Sequence, residues 1–163
     1  MIRIPALPAA ALLAVLSAAP AAAQTAAVGF GAGQFDRGAP VEVAADNLEV
    51  DNATGRAVLT GNVVIAQDAL RLSADRVEVI YATTDGDRSI DRIDATGDVI
   101  IVAGEDAAEG RTATYTLGSG EIVMTGDVLV TQAGATLAGD RLSVNLVSGA
   151  GTVTGRVRTT LQP

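Results

Sequence analysis

Thr60-Gly61-Asn62-Val63-Val64-Ile65, with Asp75-Arg76-Val77-Glu78-Val79 placed fifteen residues after Thr60, is the stretch from which the fold is read. Its first half returns as Thr96-Gly97-Asp98-Val99 and Thr125-Gly126-Asp127-Val128, and Thr154-Gly155-Arg156-Val157 opens a further copy. Its second half returns as Ala45-Asp46-Asn47-Leu48 and Gly139-Asp140-Arg141-Leu142. Thr-to-Asp spacing is fifteen residues and Asp-to-Thr spacing fourteen, so the period is twenty-nine. Asp75 to Thr96 is the exception at twenty-one, and its seven extra residues fit at 82–88, where Asp85-Gly86-Asp87 signals the turn of a longer hairpin. Such self-similarity marks stacked supersecondary units that cannot bury an apolar face alone.

Hydrophobic alternation makes those units strands. Ala57, Leu59, Val63 and Ile65 share one parity around the first Thr-Gly. So do Ile93, Ala95, Val99 and Ile101, and then Ile122, Met124, Val128 and Val130. The phase is unbroken across Thr-Gly, so the strand runs through, bent, with Gly61, Gly97 and Gly126 on the inward side. At the Asp position the phase breaks: Val43 to Leu48, Leu72 to Val77 and Leu137 to Leu142 are each five apart. A strand changes faces only through a bulge or kink, and Asp46, Asp75 and Asp140 sit there, with Arg111 as an irregular third copy. The expectation is an all-β domain with no significant helix, two facing layers and an aliphatic interior.

The first 23 residues read as a cleavable export signal. Arg3 is followed by an apolar run over 6–19 and by Ala21-Ala22-Ala23 before Gln24. Residues 24–39, rich in Gly, Ala and Gln, read as a flexible lead-in, unless Phe30 and Phe35 pack on the body, and 40–161 read as the domain. With no cysteine and no histidine, Cys/His nucleophiles and zinc sites are excluded. Asp85, Asp87, Asp91 and Asp94, like Glu105, Asp106 and Glu109, read as solvated turns and outer strand faces. No catalytic residue, cofactor or metal is expected. A net charge of −8 argues against nucleic acid as a partner.

What remains is the interior. Hydrophobic residues make up 48% of the chain and aromatics 2%, so Val, Ile, Leu and Ala do the burying. Alternation alone does not separate an ordinary closed core from a lipid-binding groove, because both use the same residues.

Pro40-Val41-Glu42-Val43-Ala44-Ala45-Asp46, Leu59-Thr60-Gly61-Asn62-Val63-Val64-Ile65 and Leu72-Ser73-Ala74-Asp75-Arg76-Val77 resemble the LptA/OstA-like family of periplasmic lipopolysaccharide-transport bridge proteins. The likeness runs over about 40–159. It implies a twisted, open β-jellyroll that holds lipid A acyl chains inside and stacks head to tail across the periplasm. It also implies lipopolysaccharide as ligand, with an inner-membrane export bridge component, an outer-membrane lipopolysaccharide translocon and the chain itself as partners. Family lipid contacts carry over to Val41, Val102, Tyr115 and Leu117, although the phase points Ile101, not Val102, inward. The inward register adds Val43, Leu59, Val63, Ile65, Leu72, Val79, Val99, Met124, Val128 and Val130 as groove candidates. Val41 and Glu42 at one edge, and Arg156, Val157 and Arg158 at the other, are the expected partner contacts. The competing readings are a β-solenoid or adhesin-like segment with a closed core, and a membrane-anchored relative of the same export system.

Overall fold

The computed structural model describes residues 24–31, 36 and 38–161; the expected export signal and Phe35 lie outside them. Eleven strands and no helix are present among the described residues. They are β1 (Gln24–Gly29), β2 (Val41–Ala44), β3 (Asn47–Asp51), β4 (Arg56–Gln67), β5 (Leu70–Thr84) and β6 (Asp87–Ala103), then β7 (Asp106–Thr116), β8 (Glu121–Gln132), β9 (Ala135–Asn145), β10 (Ala150–Gly155) and β11 (Arg158–Leu161). All pairings are antiparallel within one sheet. β4 to β9 follow one another as hairpins. β2 and β3 both pair with β4, and β10 and β11 both pair with β9.

The long strands pass without interruption through each Thr-Gly, and the register slips there. β4 and β5 pair up to Thr60↔Arg76 and resume at Val63↔Ala74, so Gly61 and Asn62 oppose Asp75 alone. The same two-against-one bulge recurs where Gly97 and Asp98 oppose Arg111, and where Gly126 and Asp127 oppose Asp140. A bulge bends its strand and sharpens the local twist. Repeated in register across neighbouring strands, these bulges make a seam along which the sheet folds onto itself.

One half of every long strand then belongs to each of two layers. β2, the start of β5 and β7, the end of β4, β6 and β8, the start of β9, and β11 form the first layer. β3, the complementary halves, β10 and β1 form the second. Side chains of both layers merge in one core, with Val63, Val77, Val99, Met124, Val130 and Val153 fully buried.

The seam explains why the module reads Thr-Gly-[Asn/Asp]-Val. Gly61, Gly97 and Gly126 have φ of 78°, 80° and 89°, and the following Asn62, Asp98 and Asp127 also have positive φ, at 46°, 42° and 50°. Asn and Asp are the side-chain-bearing residues that adopt this region most readily. It also corrects the place expected for the glycines. They do not leave the interior free: a Cβ on Gly61 would lie 2.9 Å from the Cβ of Asp46, and one on Gly97 would lie 2.8 Å from that of Asp75. The glycine bend and the aspartate kink are thus one feature, made by adjacent strands. Arg111 is not an irregularity, since its Cβ would stand 2.7 Å from a Cβ on Gly126, the place of Asp75 over Gly97.

These contacts set a stability prediction. Gly97→Ala adds a clash with Asp75 to an unfavourable φ and is expected to cost about 2–5 kcal/mol. Gly86 has a φ of 90° but nothing within 4 Å of the place a methyl group would take, so Gly86→Ala is expected to cost only about 1–2 kcal/mol. Urea unfolding of the two variants checks the difference.

Two expectations change at the ends of the chain. The stretch 24–39 is not a structureless lead-in throughout: Gln24–Gly29 is strand β1, paired with β10 along its whole length, and Phe30 is 1% exposed. The C-terminal edge expected at 156–158 is not strand throughout either: Arg156 and Val157 lie between β10 and β11, and of the three only Arg158 is in a strand.

Candidate functional site

The interior is tightly closed at the seam and loosens toward the β2–β3 edge. Val63, Val99 and Val128, the first residues after each bulge, are 0–1% exposed. At the other extreme, Val43, Leu48 and Val50 are at least half exposed on the edge strands, and Val41 is 37% exposed. These four continue the inward parity of the sheet: Val43 pairs with Ile65, Leu48 with Leu59 and Val50 with Ala57. Their exposure follows from the absence of a next strand in this chain, not from a change of face.

Two adjoining apolar cavities lie behind this edge. One, of about 160 Å³, is lined by Val41, Val43, Leu48, Val50, Leu59, Val79, Tyr81 and Ile90 among others. The second, of about 20 Å³, runs deeper between Val41, Leu70, Leu72, Ile101, Tyr115, Leu117 and Ile122. Val41, Ile65 and Ile93 line both. The polar groups are few. The Gln67 Nε2 donates to the Ala39 carbonyl at 2.9 Å, turning that amide to the backbone. Tyr81 lies under the Arg88 guanidinium, 4.5 Å from its ring centroid, where the long β5–β6 hairpin rises beside the mouth.

The sequence-predicted groove residues therefore divide. Val41, Val43, Leu59, Ile65, Leu72, Val79, Ile101, Tyr115 and Leu117 line the cavities. Val63, Val99, Met124, Val128 and Val130 are packed core near the seam and behind it. Val102 is the exception to the expected set. It is half-buried on the face opposite Ile101, which is 1% exposed, since no bulge interrupts 99–103. Leu48, Val50, Leu70, Tyr81, Ile93 and Ile122 line the cavities without having been picked out as lining residues, although their inward parity was readable. Ile90 lines one too, off the parity of Ile93, because a register shift at Asp91 turns it inward.

The edge residues divide as well. Arg156 is held within the chain, its Nη2 2.9 Å from Asp140 Oδ1 and its backbone N–H donating to Asp140 Oδ2. Arg156 draws the Asp140 carboxyl below the usual carboxylate range. Arg111 and Asp127 form the same pair with charges exchanged, and Asn62 donates to Asp46 at 2.9 Å in the first copy. Val157 is partly buried against the core. Of the three C-terminal positions, Arg158 alone lies in the exposed strand β11. Glu42 stands exposed on β2.

Asp51 is also held below the usual range, first by the Thr54 side chain and then by the Thr54 and Ala53 amides in the β3–β4 turn. A lowered carboxylate favours folding above its ordinary pKa and loses that contribution as pH falls through its lowered value. Both groups serve a turn or an ion pair. Among the described residues no cluster of metal-ligating side chains is present, and no helix is long and apolar enough to cross a membrane.

Residues 42–150 match the family described as "LptA/(LptD N-terminal domain) LPS transport protein". An uncharacterized protein of Rhizobium meliloti (strain 1021) is 30% identical over 139 residues, covering 80% of this chain and 75% of that protein. The crystal structure of LptH, "the LptA homologous periplasmic component of the conserved lipopolysaccharide transport device from Pseudomonas aeruginosa", superposes with a TM-score of 0.65 at 21% identity, over 79% of this chain and 99% of that one. The family match takes in both cavities' central strands and three of the four Thr-Gly modules, and the seam, the sheet order and the superposition agree on the fold. On these grounds the chain belongs to the LptA/LptD N-terminal domain family of lipopolysaccharide transport proteins.

Proposed function

We propose that the protein is a periplasmic carrier that takes the acyl chains of lipopolysaccharide between its two layers and hands them along a head-to-tail stack. The observation that carries this reading is the edge at β2 and β3, where inward-facing Val41, Val43, Leu48 and Val50 stand exposed at the mouth of the apolar cavities. An interior so nearly free of polar groups suits acyl chains and leaves the sugars outside. The cavities are far smaller than an acyl chain, so loading requires the layers to part. Burial is worth about 0.8 kcal/mol per CH₂, so a lipid with several chains does not return to water at a useful rate. It moves only into a similar adjoining surface, which a stack of like domains supplies at nearly constant energy. Direction comes from outside the chain, through an inner-membrane export component, and the lipid is delivered to an outer-membrane translocon. The export-signal pattern read in the sequence of 1–23 and the periplasmic description of LptH support the same location for this chain.

The internal repeat supplies the register of the stack. Aligning Thr154 with Thr60 places β11 where the end of β4 lies, so the next copy's β2 takes the place of the start of β5. Pairs Ile65↔Leu72 and Gln67↔Leu70 then become Thr159 opposite Val43 and Leu161 opposite Val41 of the next copy. Leu161, 73% exposed, would gain cover, and Arg158 would lie diagonal to Glu42, within reach of a long side chain. Arg158→Glu is expected to weaken self-association about tenfold, read by sedimentation velocity. Arg156→Glu is expected to act on folding through Asp140 instead.

A second reading has its own observation. The 0–1% exposure of Val63, Val99 and Val128 is what a structural segment with a permanently closed core presents. Capture of lipopolysaccharide by a photo-crosslinker at Leu117 separates the two.

A further inference from the structure

At the C-terminal end the two layers stop at different strands. The first layer ends at β11, all four of whose residues are exposed. The second does not end at β10, because β1 covers β10 from Gln24↔Gly155 to Gly29↔Ala150. In the next copy, β2 and β3 start the two layers level with each other, both paired on β4 and joined only by Ala45 and Asp46. A stack continuous in both layers therefore meets an offset of one strand, about 4.8 Å.

The repeat shows what β1 occupies. On β4, Leu59 pairs with Val77 and Ala57 with Val79. Transposed by the Thr60–Thr154 alignment, the next copy's Leu48 falls opposite Val153, and its Val50 opposite Gly151. β1 puts Ala26 opposite Val153 and Val28 opposite Gly151, in the same antiparallel sense. It fills the same two inward positions, with alanine in place of Leu48 and a valine in place of Val50. Leu48 and Val50 are 60% and 55% exposed on β3, so the exchange gives them cover, against the exposure of Val28, which is 8% exposed in β1.

We infer that β1 is a placeholder strand, which occupies within the chain the edge that β3 of the next copy takes on assembly, and which leaves when copies stack. The inference rests on the head-to-tail reading and adds to it the element that guards the acceptor edge. Its consequence reaches the interior. Phe30 follows β1 directly, is 1% exposed in the core, and donates its backbone N–H to the Gly149 carbonyl at 2.9 Å. Release of β1 withdraws Phe30 and opens the interior at the end where the next copy arrives. An unstacked protein thus keeps that end shut, and docking opens it.

The chain has no cysteine, so a single engineered disulfide is unambiguous. Ala27 and Thr152 pair across β1 and β10 on the outer side of the sheet. In the full chain, Ala27→Cys with Thr152→Cys is expected to self-associate at least tenfold more weakly oxidised than reduced, by sedimentation velocity. Val28→Asp, which loosens β1, is expected to self-associate at least tenfold more tightly than the parent chain. Hydrogen exchange on the parent chain supplies a measurement free of variants: protection of 24–29 should fall with rising concentration while that of 150–155 persists. Equal association of the oxidised and reduced forms, with 24–29 protected throughout, overturns the placeholder and leaves the head-to-tail reading standing. Absence of association in every form overturns both.

Discussion

Val41→Glu is expected to weaken lipopolysaccharide binding by at least about a hundredfold while lowering the melting temperature by no more than about 4 °C. Among the described residues, Val41 is the one that lines both cavities and is also exposed at the edge, at 37%. A carboxylate there faces water in the empty protein and swings clear at little cost. With acyl chains in place it would sit among them, and burying a charge without a partner costs several kcal/mol, of which about 3 already gives the hundredfold loss. Val102→Glu is the matched control. It places the same charge on the outer face of β6, one residue from Ile101, and is expected to leave binding within about twofold. Binding by the purified variants, with thermal unfolding alongside, reads both effects.

Met124→Ala should act on the opposite quantity. Met124 is fully buried, pairs across β8 with Ala113 and Leu142, and packs its sulfur toward Gly110, where an added Cβ would approach within 3.0 Å. Truncation leaves a cavity that close-packed neighbours do not fill, at a cost of about 2–5 kcal/mol in urea unfolding. Because Met124 lines neither cavity at the mouth, the folded fraction is expected to bind lipid as the parent chain does. Together the two substitutions separate the part of the interior that holds the fold from the part assigned to cargo.

The fold was legible because its signals are local and repeated. Alternation through Thr60, Thr96 and Thr125 without loss of phase required strands that run through the glycine, and β4, β6 and β8 do so. The odd step from Leu72 to Val77 required a face change, and the bulge opposite Gly97 supplies it. That Gly61 meets Asp46 and Gly97 meets Asp75 was present only indirectly, in spacings that equal one hairpin's path back to the seam. The alternating exchange of charge at Arg111–Asp127 and Asp140–Arg156 is visible only once that contact is known.

β1 left almost no signal. Its inward positions are only Ala26 and Val28, and its partner Gly155 lies at the other end of the chain, so nothing near Gln24 announces the pairing. The candidate site was half legible for a different reason. Parity tells which side chains face inward, and it placed Tyr115 and Leu117 correctly beside Ile101. Parity says nothing about volume. Val63 and Val41 share a face, yet one is packed at the seam and the other stands at the mouth, because closure depends on how far each lies from the fold line and from the last strand.

The central claim is that lipid lies between the layers and not on the outer surface. It is tested most directly by a photo-crosslinking residue at Leu117, compared in cells with one at Ile100. Leu117 lines the deeper cavity, whereas Ile100 is an apolar side chain on the outer face, 40% exposed. The account predicts a lipopolysaccharide adduct at Leu117 and none above background at Ile100. Adducts of equal yield at both positions, or at Ile100 alone, would contradict it.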